Sequence, residues 1–415
     1  MNVWKKWTET SLILRIVIGL VIGAILGVAL PQATGFAILG TIFVGALKAI
    51  APVLVFVLII SALSQASAGI GKRFRTVVIL YMLSTFLAAV VAVIASFAFP
   101  IAMTLSDTAT DTEPPEGIVA VFENLLTNLV SNPVSSIANA NYLGVLFWAI
   151  ILGLALKGFA SESTIHVVND IAEAVSTAVR WVIQMAPFGI LGLVYSSVST
   201  SGLEIFTEYG KLIVLLVGAM LVVALIVDPL IAFIFLKKNP YPLVFRCLKD
   251  SGITAFFTRS SAANIPVNMK LCKDLGLDEE FYSVSIPLGA TINMDGAAIT
   301  ITIMTLAVCH TMGVAVDIPT AVILSVLSTV AACGASGVAG GSLLLIPMAC
   351  SLFGIGNDIA MQAVAVGFII GVIQDSVETA LNSAGDVMFA ATAEYHDRMK
   401  NGEDIDLKAI VSKNK

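Results

Sequence analysis

Residues 286–296, which read I-P-L-G-A-T-I-N-M-D-G, constrain the fold more than any other stretch of the chain. They place Asn293 and Asp295 inside an apolar segment that is long enough to cross a bilayer. A charged side chain at that depth costs about 2.5 kcal/mol or more unless it is paired, so such residues are functional candidates. Gly289 and Gly296 flank them; glycine weakens a helix, and unwound backbone is tolerated within a membrane only where it is buried or lines a cavity. The stretch therefore predicts a broken helix that holds a cation.

The composition is that of a protein that crosses a membrane several times. Hydrophobic residues make up 58% of the 415 residues and charged residues only 12%, far from the balance of a soluble domain. The net charge of −6 comes without a basic stretch, so no nucleic-acid partner is expected. The five cysteines form no C-x-x-C pair and are interpreted as packing residues. Membrane lipid is the expected environment of the chain.

Eight apolar segments have the length of a membrane-spanning helix, at about 20 residues per crossing. They cover roughly 12–30, 36–62, 76–102, 119–156, 170–199, 211–236, 281–311 and 359–392. The fourth is too long for one helix and is interrupted near residues 131–133 and 139–141. Two further segments, about 242–269 and 319–354, are apolar in both arms and polar or glycine-rich in the middle. We therefore predict an all-α polytopic membrane protein with eight transmembrane helices and two re-entrant helical hairpins.

The charge pattern orients these segments. If the spans alternate and both hairpins return to the side they came from, most lysine and arginine clusters fall on one side, and acidic residues 107–116 fall on the other. The positive-inside rule then places both termini in the cytoplasm.

The second half of the chain repeats one arrangement, a hairpin followed by a polar helix. The first hairpin has its tip at residues 259–266 and precedes the stretch around Asp295; the second has its tip at 334–342 and precedes a helix that carries Asp386. Paired, glycine-interrupted apolar segments are typical of the binding site of a transporter near the membrane midplane.

Five polar residues of the last span recur every three or four positions and so share one helix face. They are Asp375, Glu378, Thr379, Asn382 and Asp386. With Asp295 they bring four carboxyl groups together, whereas Arg259 is the only obvious basic partner. The deficit of positive charge predicts hard cations on oxygen ligands, and the lack of a His or Cys cluster argues against zinc or copper. The alternative is that these carboxyls are protonated or paired and only fasten helices together.

Four motifs together resemble the dicarboxylate/amino acid:cation symporter family, over essentially the whole chain. They are T-R-S-S-A-A-N-I-P-V-N at 258–268, N-M-D-G at 293–296, A-C-G-A-S-G-V-A-G-G-S at 332–342 and D-x-x-x-T-x-x-N-x-x-x-D at 375–386. The resemblance implies a homotrimer in a bacterial cytoplasmic membrane that works as an elevator. It implies a scaffold and trimerisation domain at 1–240 with six spans, a transport domain at 241–395 and a polar cytoplasmic tail at 396–415.

The same resemblance implies the residues that contact an amino acid substrate. Asp375 would hold the substrate ammonium and Asn382 its carboxylate, with the two hairpin tips closing over it. The set assigned to the substrate is Ser260, Ser261, Gly337, Val338, Asp375, Glu378, Thr379 and Asn382. From the residues alone, the serines of the first tip could instead be small packing residues, or could present unsatisfied N–H groups to a carboxylate.

Co-transported sodium ions would occupy up to three implied sites. The first uses Asp386, Asn293, Asn382 and the Gly289 carbonyl. The second uses backbone near Thr291 and Met294 together with the second tip. The third uses Asp295 and Asn293 with Tyr81, Ser84 and Thr85.

Glu378 stands where the acidic amino acid branch of the family carries an arginine. A carboxylate there repels an acidic substrate and can accept a hydrogen bond from a hydroxyl. Ala297 and Ala339 also depart from the usual N-M-D-G-T and second-tip patterns. The expected activity is therefore sodium-coupled import of L-serine and L-threonine.

Three alternatives stay open at this stage. Proton- or sodium-coupled uptake of dicarboxylates or acidic amino acids would use the same carboxyls. A passive ion channel would need a continuous polar pore, which closed hairpins do not favour. An intramembrane enzyme has little support because no nucleophile, base and orienting group assemble in the sequence.

Overall fold

The computed structural model describes residues 10–65, 72–105, 130–335 and 340–412, and the regular structure in these ranges is entirely helical. In the first half the α-helices are α1 (Leu12–Ala29), α2 (Ala37–Gln65), α3 (Lys72–Ala98), α4 (Pro133–Ala138), α5 (Tyr142–Phe159), α6 (Glu162–Gln184), α7 (Ala186–Ser201), α8 (Ile205–Val222) and α9 (Asp228–Leu236). In the second half they are α10 (Tyr241–Cys247), α11 (Ile253–Thr258), α12 (Ser261–Asp274), α13 (Glu279–Ile292), α14 (Asp295–Thr311), α15 (Ile318–Ala332), α16 (Ile346–Ser351), α17 (Asn357–Lys400) and α18 (Leu407–Ser412).

Several helical stretches, some of which run through two or three consecutive helices, are long and apolar enough to cross a membrane. Within the described ranges they are Thr34–Ser61, Lys72–Ala98, Tyr142–Phe159, Ala186–Leu236, Glu279–Thr311 and Asn357–Lys400. The last two are buried along most of their length, whereas the others turn half or more of their residues outward. The helices that carry the polar motifs therefore lie inside the bundle, away from lipid.

One predicted span is not a single helix, and another is interrupted where the sequence predicts it. The stretch 170–199 is not one helix, because α6 ends at Gln184 and α7 begins at Ala186, with Pro187 in its first turn. A proline there lacks the N–H that would continue the preceding helix, and hydropathy alone does not register this break. The interruptions predicted within 119–156 are confirmed where the structure describes them, since Asn132 caps α4 and Asn141 caps α5.

The first predicted hairpin consists of two arms joined by a tight turn. A continuous helical arm, Tyr241–Thr258, contains α10 and α11 on either side of a π-helical turn at Leu248–Gly252. Arg259 then adopts a left-handed conformation with φ of 52°, and α12 leads back. In the second predicted hairpin, α15 and the 3-10 helix Ser342–Leu345 flank the tip. Residues 336–339 of this tip lie outside the described ranges.

The packing divides the helices into two groups. Helix α1 lies along α7, and α2 packs on α5, α6 and α7. The α1 contact depends on small residues: a Cβ on Gly19 would lie 2.1 Å from the Pro187 carbonyl oxygen, and one on Gly23 would lie 2.5 Å from that of Leu191. Such close approach of two backbones is typical of helix pairs in membranes.

The second group surrounds the polar motifs. Helix α3 packs on α14, α15 and α17, although it belongs to the first half of the chain, and α8 contacts α3, α14 and α17. This arrangement brings the hydroxyl groups of α3 to the broken helix.

The polar tail folds back onto the start of the first hairpin. Helix α18 packs on α10, and Ile405 and Leu407 are buried. Lys238 Nζ donates to Asp404 Oδ1 at 2.6 Å and thereby lowers the pKa of that carboxyl. These contacts fix the tail next to residues 238–246.

Candidate substrate and cation site

The helix break predicted around N-M-D-G is confirmed. Helix α13 ends at Ile292 and α14 begins at Asp295, while Asn293 and Met294 have non-helical ψ angles of 80° and 51°. Asn293 and Asp295 are fully buried. Because the last carbonyl groups of a helix lack intrahelical donors, the end of α13 presents backbone oxygens to the interior.

One group of oxygens gathers around Asp386. Asn293 Nδ2 donates to Asp386 Oδ1 at 3.1 Å and to the Asn382 carbonyl at 3.0 Å. The backbone of Gly289 approaches so closely that a Cβ there would lie 2.8 Å from Asp386 Oδ1 and 2.9 Å from the Tyr81 hydroxyl. All four residues assigned to the first cation site, Asp386, Asn293, Asn382 and Gly289, therefore lie together.

Two buried oxygens of this group accept no hydrogen bond from the described residues. They are Asp386 Oδ2 and Asn293 Oδ1. An unsatisfied buried acceptor costs about 1–3 kcal/mol, and more when it is charged. Carboxylate and amide oxygens left without donors are suitable ligands for a hard cation, so the residues present fit a sodium ion.

A second group surrounds Asp295, at the first residue of α14. Its carboxylate accepts from the hydroxyls of Ser84, and of Thr85 at 2.8 Å. Thr85 in turn accepts the Met294 N–H at 3.2 Å. Helix α3 thus supplies two of the three hydroxyls expected at the third cation site.

Two other members of the expected third site contact Asp386 in place of Asp295. The Tyr81 hydroxyl donates to the Asp386 carbonyl at 2.9 Å, and Asn293 donates to its side chain as described above. Thr291, assigned to the second site, is partly buried, and its hydroxyl donates to the Leu288 carbonyl at 2.7 Å. The structure therefore brings Ser84 and Thr85 to Asp295, and Tyr81 to the neighbouring group.

Asp228 lies in the same group as Asp295 and was not predicted. It is 2% exposed, and its Oδ1 lies 3.0 Å from the Ser84 hydroxyl, which also donates to Asp295. One hydroxyl carries one proton, so it cannot donate to both carboxylates at once. The available signal was a single acid within the apolar segment 211–236.

Asp375, one of the residues assigned to the substrate, is paired with the first hairpin. Arg259 Nε donates to Asp375 Oδ2 at 2.6 Å, and the Gly340 N–H donates to Oδ1 at 3.3 Å. The arginine side chain is 12% exposed and the carboxylate 5%, so the pair is largely desolvated. Because the Arg259 turn holds the guanidinium at the tip, the first hairpin and α17 meet at this contact.

Glu378 lies one helical turn further along α17. Its Oε2 accepts from Thr300 at 2.8 Å, from Ser342 at 2.9 Å and from Gln374. Sequence reasoning did not assign these three partners. Gln374 lies one turn earlier on α17, whereas Thr300 and Ser342 come from other segments. Their only signal was polarity inside apolar stretches.

The remaining predicted residues are placed as follows. Ser260 caps α12, its hydroxyl accepting the Ala263 N–H at 3.2 Å, and Ser261 is buried behind it. Thr379 turns its hydroxyl to the Asp375 carbonyl at 2.7 Å. Gly337 and Val338 lie outside the described residues.

Asn382 connects the substrate and cation groups. Its Oδ1 accepts the N–H of Gly296 at 2.7 Å, and its Nδ2 approaches the Met294 sulfur at 3.4 Å. The start of α14 is thereby attached to α17 between Glu378 and Asp386. Within the described ranges no three His, Cys, Asp or Glu side chains form a metal-binding group, so cations here would depend on amide, hydroxyl and backbone oxygens as well as carboxylates.

Carboxylates, amides and hydroxyls that converge on a broken helix, inside a bundle of membrane-length helices, define a membrane transporter. The chain belongs to the sodium:dicarboxylate symporter family, whose profile matches residues 12–395. The resemblance inferred from the motifs is confirmed, as is the expectation of a transporter in place of an enzyme.

Three similar relatives from different bacteria are each named serine/threonine transporter SstT. The chain is 60% identical over 395 residues to the protein of Bifidobacterium adolescentis, covering 95% of this chain and 92% of the relative. It is 59% identical over 391 residues to that of Streptococcus agalactiae, covering 94% and 97%. It is 58% identical over 389 residues to that of Streptococcus thermophilus, covering 94% and 96%.

Proposed function

We propose that the protein is a symporter that imports L-serine and L-threonine together with sodium ions. The observation that carries this proposal is the sharing of α17 by both halves of the site. In three turns it presents Asp375 and Glu378 to a substrate and Asp386 to a cation, with Asn382 between them. Since one rigid helix positions both sets of ligands, binding of ion and substrate can depend on each other. The name shared by the relatives supports the choice of substrate.

The substrate contacts follow from the chemistry of each side chain. The ammonium group of the substrate competes with Arg259 for Asp375, and the freed guanidinium then faces the substrate carboxylate. Asn382 and the capped start of α12 at Ser260 provide further polar contacts for that carboxylate. Glu378 accepts the hydroxyl of serine or threonine.

Sodium ions are the proposed co-transported species. Asp386 with Asn293, and Asp295 with Ser84 and Thr85, offer oxygen ligands with few carboxylates per ion, which suits a monovalent hard cation. Each positive charge that moves inward gains about 2.3 kcal/mol per 100 mV of membrane potential. One net charge is enough to concentrate a neutral amino acid many-fold.

The wider architecture is part of the same proposal. We place eight transmembrane helices and two re-entrant hairpins in a bacterial cytoplasmic membrane, with both termini in the cytoplasm and three copies in a homotrimer. The transport domain at 241–395 would move as an elevator against a scaffold at 1–240, beside the polar tail at 396–415. Helix α3 belongs to the proposed scaffold but packs on α14 and α17 of the proposed transport domain. An elevator movement would therefore have to change this contact or carry α3 with it.

The nearest rival is transport of dicarboxylates or acidic amino acids, which the family description favours. Glu378 argues against it, because a buried carboxylate would face the second carboxylate of such a substrate. A passive channel is excluded if flux strictly requires the amino acid.

The test is uptake of labelled L-serine into proteoliposomes under an inward sodium gradient, with an equal potassium gradient as the control. We expect accumulation only with sodium, and inhibition by excess L-threonine but not by L-aspartate. Competition by aspartate would overturn the substrate assignment. Uptake driven by a proton gradient alone would overturn the coupling ion.

A further inference from the structure

The carboxylate of Glu378 is held by hydrogen bonds to only one of its two oxygens. Its three hydrogen-bond donors come from α14, from the 3-10 helix after the second hairpin tip and from α17 itself. They are Thr300, Ser342 and Gln374, and all three donate to the same oxygen, Oε2. An oxygen that already accepts three hydrogen bonds has no capacity for another donor.

The other oxygen of this carboxylate has the opposite surroundings. Oε1 of Glu378 accepts no hydrogen bond from the described residues. It is also not fully enclosed by them. The side chain as a whole is 6% exposed. Since Oε2 already accepts three hydrogen bonds, Oε1 is the oxygen of Glu378 that can accept a further one.

Two contacts hold the carboxylate in this orientation. The backbone of Gly296 presses against Glu378, since a Cβ on this glycine would lie 2.9 Å from Glu378 Cγ. The Gln374 amide turns its nitrogen to the carboxylate although its own Oε1 is buried without a partner. If the Gln374 amide were reversed, its oxygen would face the carboxylate oxygen of Glu378. The repulsion between these two oxygens keeps the amide nitrogen directed at Oε2.

We propose that Thr300, Ser342 and Gln374 are positioning residues that fix Oε1 of Glu378 as the acceptor for a hydroxyl on the substrate. The inference rests on the proposed function and specifies how the site distinguishes amino acids of similar size. Serine and threonine bring a donor to Oε1. Alanine brings none and leaves a desolvated carboxylate oxygen unpaired, while aspartate brings a like charge.

The size of the effect follows from the strength of such a hydrogen bond. Hydrogen bonds to charged groups correspond to about a 10- to 100-fold change in affinity. Misplacing Oε1 should therefore weaken serine binding by about tenfold, whereas alanine, which does not use this oxygen, should change by less than about twofold.

The experiment compares Thr300→Val with Thr302→Val in proteoliposomes under the same sodium gradient. Both threonines are fully buried on α14, but Thr302 donates to Ser328 at 3.0 Å and not to Glu378. Inhibition constants of unlabelled L-serine and L-alanine are measured against labelled L-serine uptake. We expect Thr300→Val to lower the preference for serine over alanine about tenfold, and Thr302→Val to leave it unchanged.

Thr300→Ser restores the hydroxyl and should restore the preference, while Ser342→Ala provides a second variant should Thr300→Val fail to fold. Equal weakening of serine and alanine in both Thr300→Val and Ser342→Ala would overturn the inference, because it would indicate a general structural role. Absence of serine uptake by the unmodified protein is a different result and would overturn the proposed function itself.

Discussion

Replacing Gly296 with alanine tests the contact on which the whole site depends. Gly296 is the second residue of α14, immediately after Asp295. A Cβ at this position would lie 2.7 Å from Glu378 Cα and 2.9 Å from the Glu378 carbonyl oxygen. Both atoms belong to the backbone of α17, so no side-chain rotation can relieve the overlap. One of the two helices has to move.

The expected cost can be estimated from the overlap. Overpacking of this kind typically costs about 1–3 kcal/mol, and the gain of about 1 kcal/mol from replacing a helical glycine by alanine offsets part of it. A shift of a few tenths of an ångström also lengthens the Gly296 N–H contact to Asn382, now 2.7 Å. We therefore expect a folded protein whose serine and sodium affinities both fall, by about tenfold each.

Gly218→Ala is the matched control, because Gly218 lies within α8 and no described atom would come within 4 Å of its Cβ. Thermal stability in detergent and sodium-dependent serine uptake in proteoliposomes are measured for both variants. Gly218→Ala should keep both affinities of the unmodified protein and should be slightly more stable, by up to about 1 kcal/mol, because alanine favours the helix over glycine. If Gly296→Ala also keeps both affinities, the close approach of α14 to α17 is not required and the geometry of the site is wrong.

Two further predictions concern the cation groups. Asp228→Asn removes a carboxylate that shares the Ser84 hydroxyl with Asp295. A unit charge about 6 Å from a bound cation contributes roughly 2 to 3 kcal/mol at an effective dielectric constant of about 20. The sodium concentration for half-maximal uptake should rise about tenfold or more. The control Asp170→Asn, whose residue is exposed on α6, should leave this concentration unchanged. Equal values for the two variants would show that Asp228 does not belong to the cation site. Asp386→Ala removes the acceptor of Asn293, and uptake at limiting sodium should fall sharply and recover in part at high sodium. Unchanged uptake at limiting sodium would contradict the assignment of Asp386.

Sequence reasoning identified the broken helix because its signals are local. Polar residues and two glycines within eleven positions are enough to predict an interruption, and the asparagines that cap α4 and α5 are local signals too. The pairing of Asp375 with Arg259 could also have been predicted, since Arg259 was the only obvious basic partner for the carboxylates.

The contacts that sequence reasoning missed join segments distant in the chain. Asp228 and Asp295 are 67 positions apart and meet only because α3 lies between them and offers Ser84 to both. Tyr81 was expected at Asp295, but the direction of its side chain on α3 takes it to the Asp386 carbonyl instead. No pattern of hydropathy or spacing carries this information, because it depends on how α3 is rotated against α14 and α17.

The length of α17 has a mechanical consequence. Its 44 residues form a rod about 66 Å long, roughly twice the thickness of the bilayer core. Glu378 lies at its midpoint, about 33 Å from each end. A tilt of about 10° that pivots at Glu378 would leave the substrate in place and sweep each end through about 6 Å. A spectroscopic label near Lys400 would therefore report small rotations at the site as large displacements far from the groups that bind.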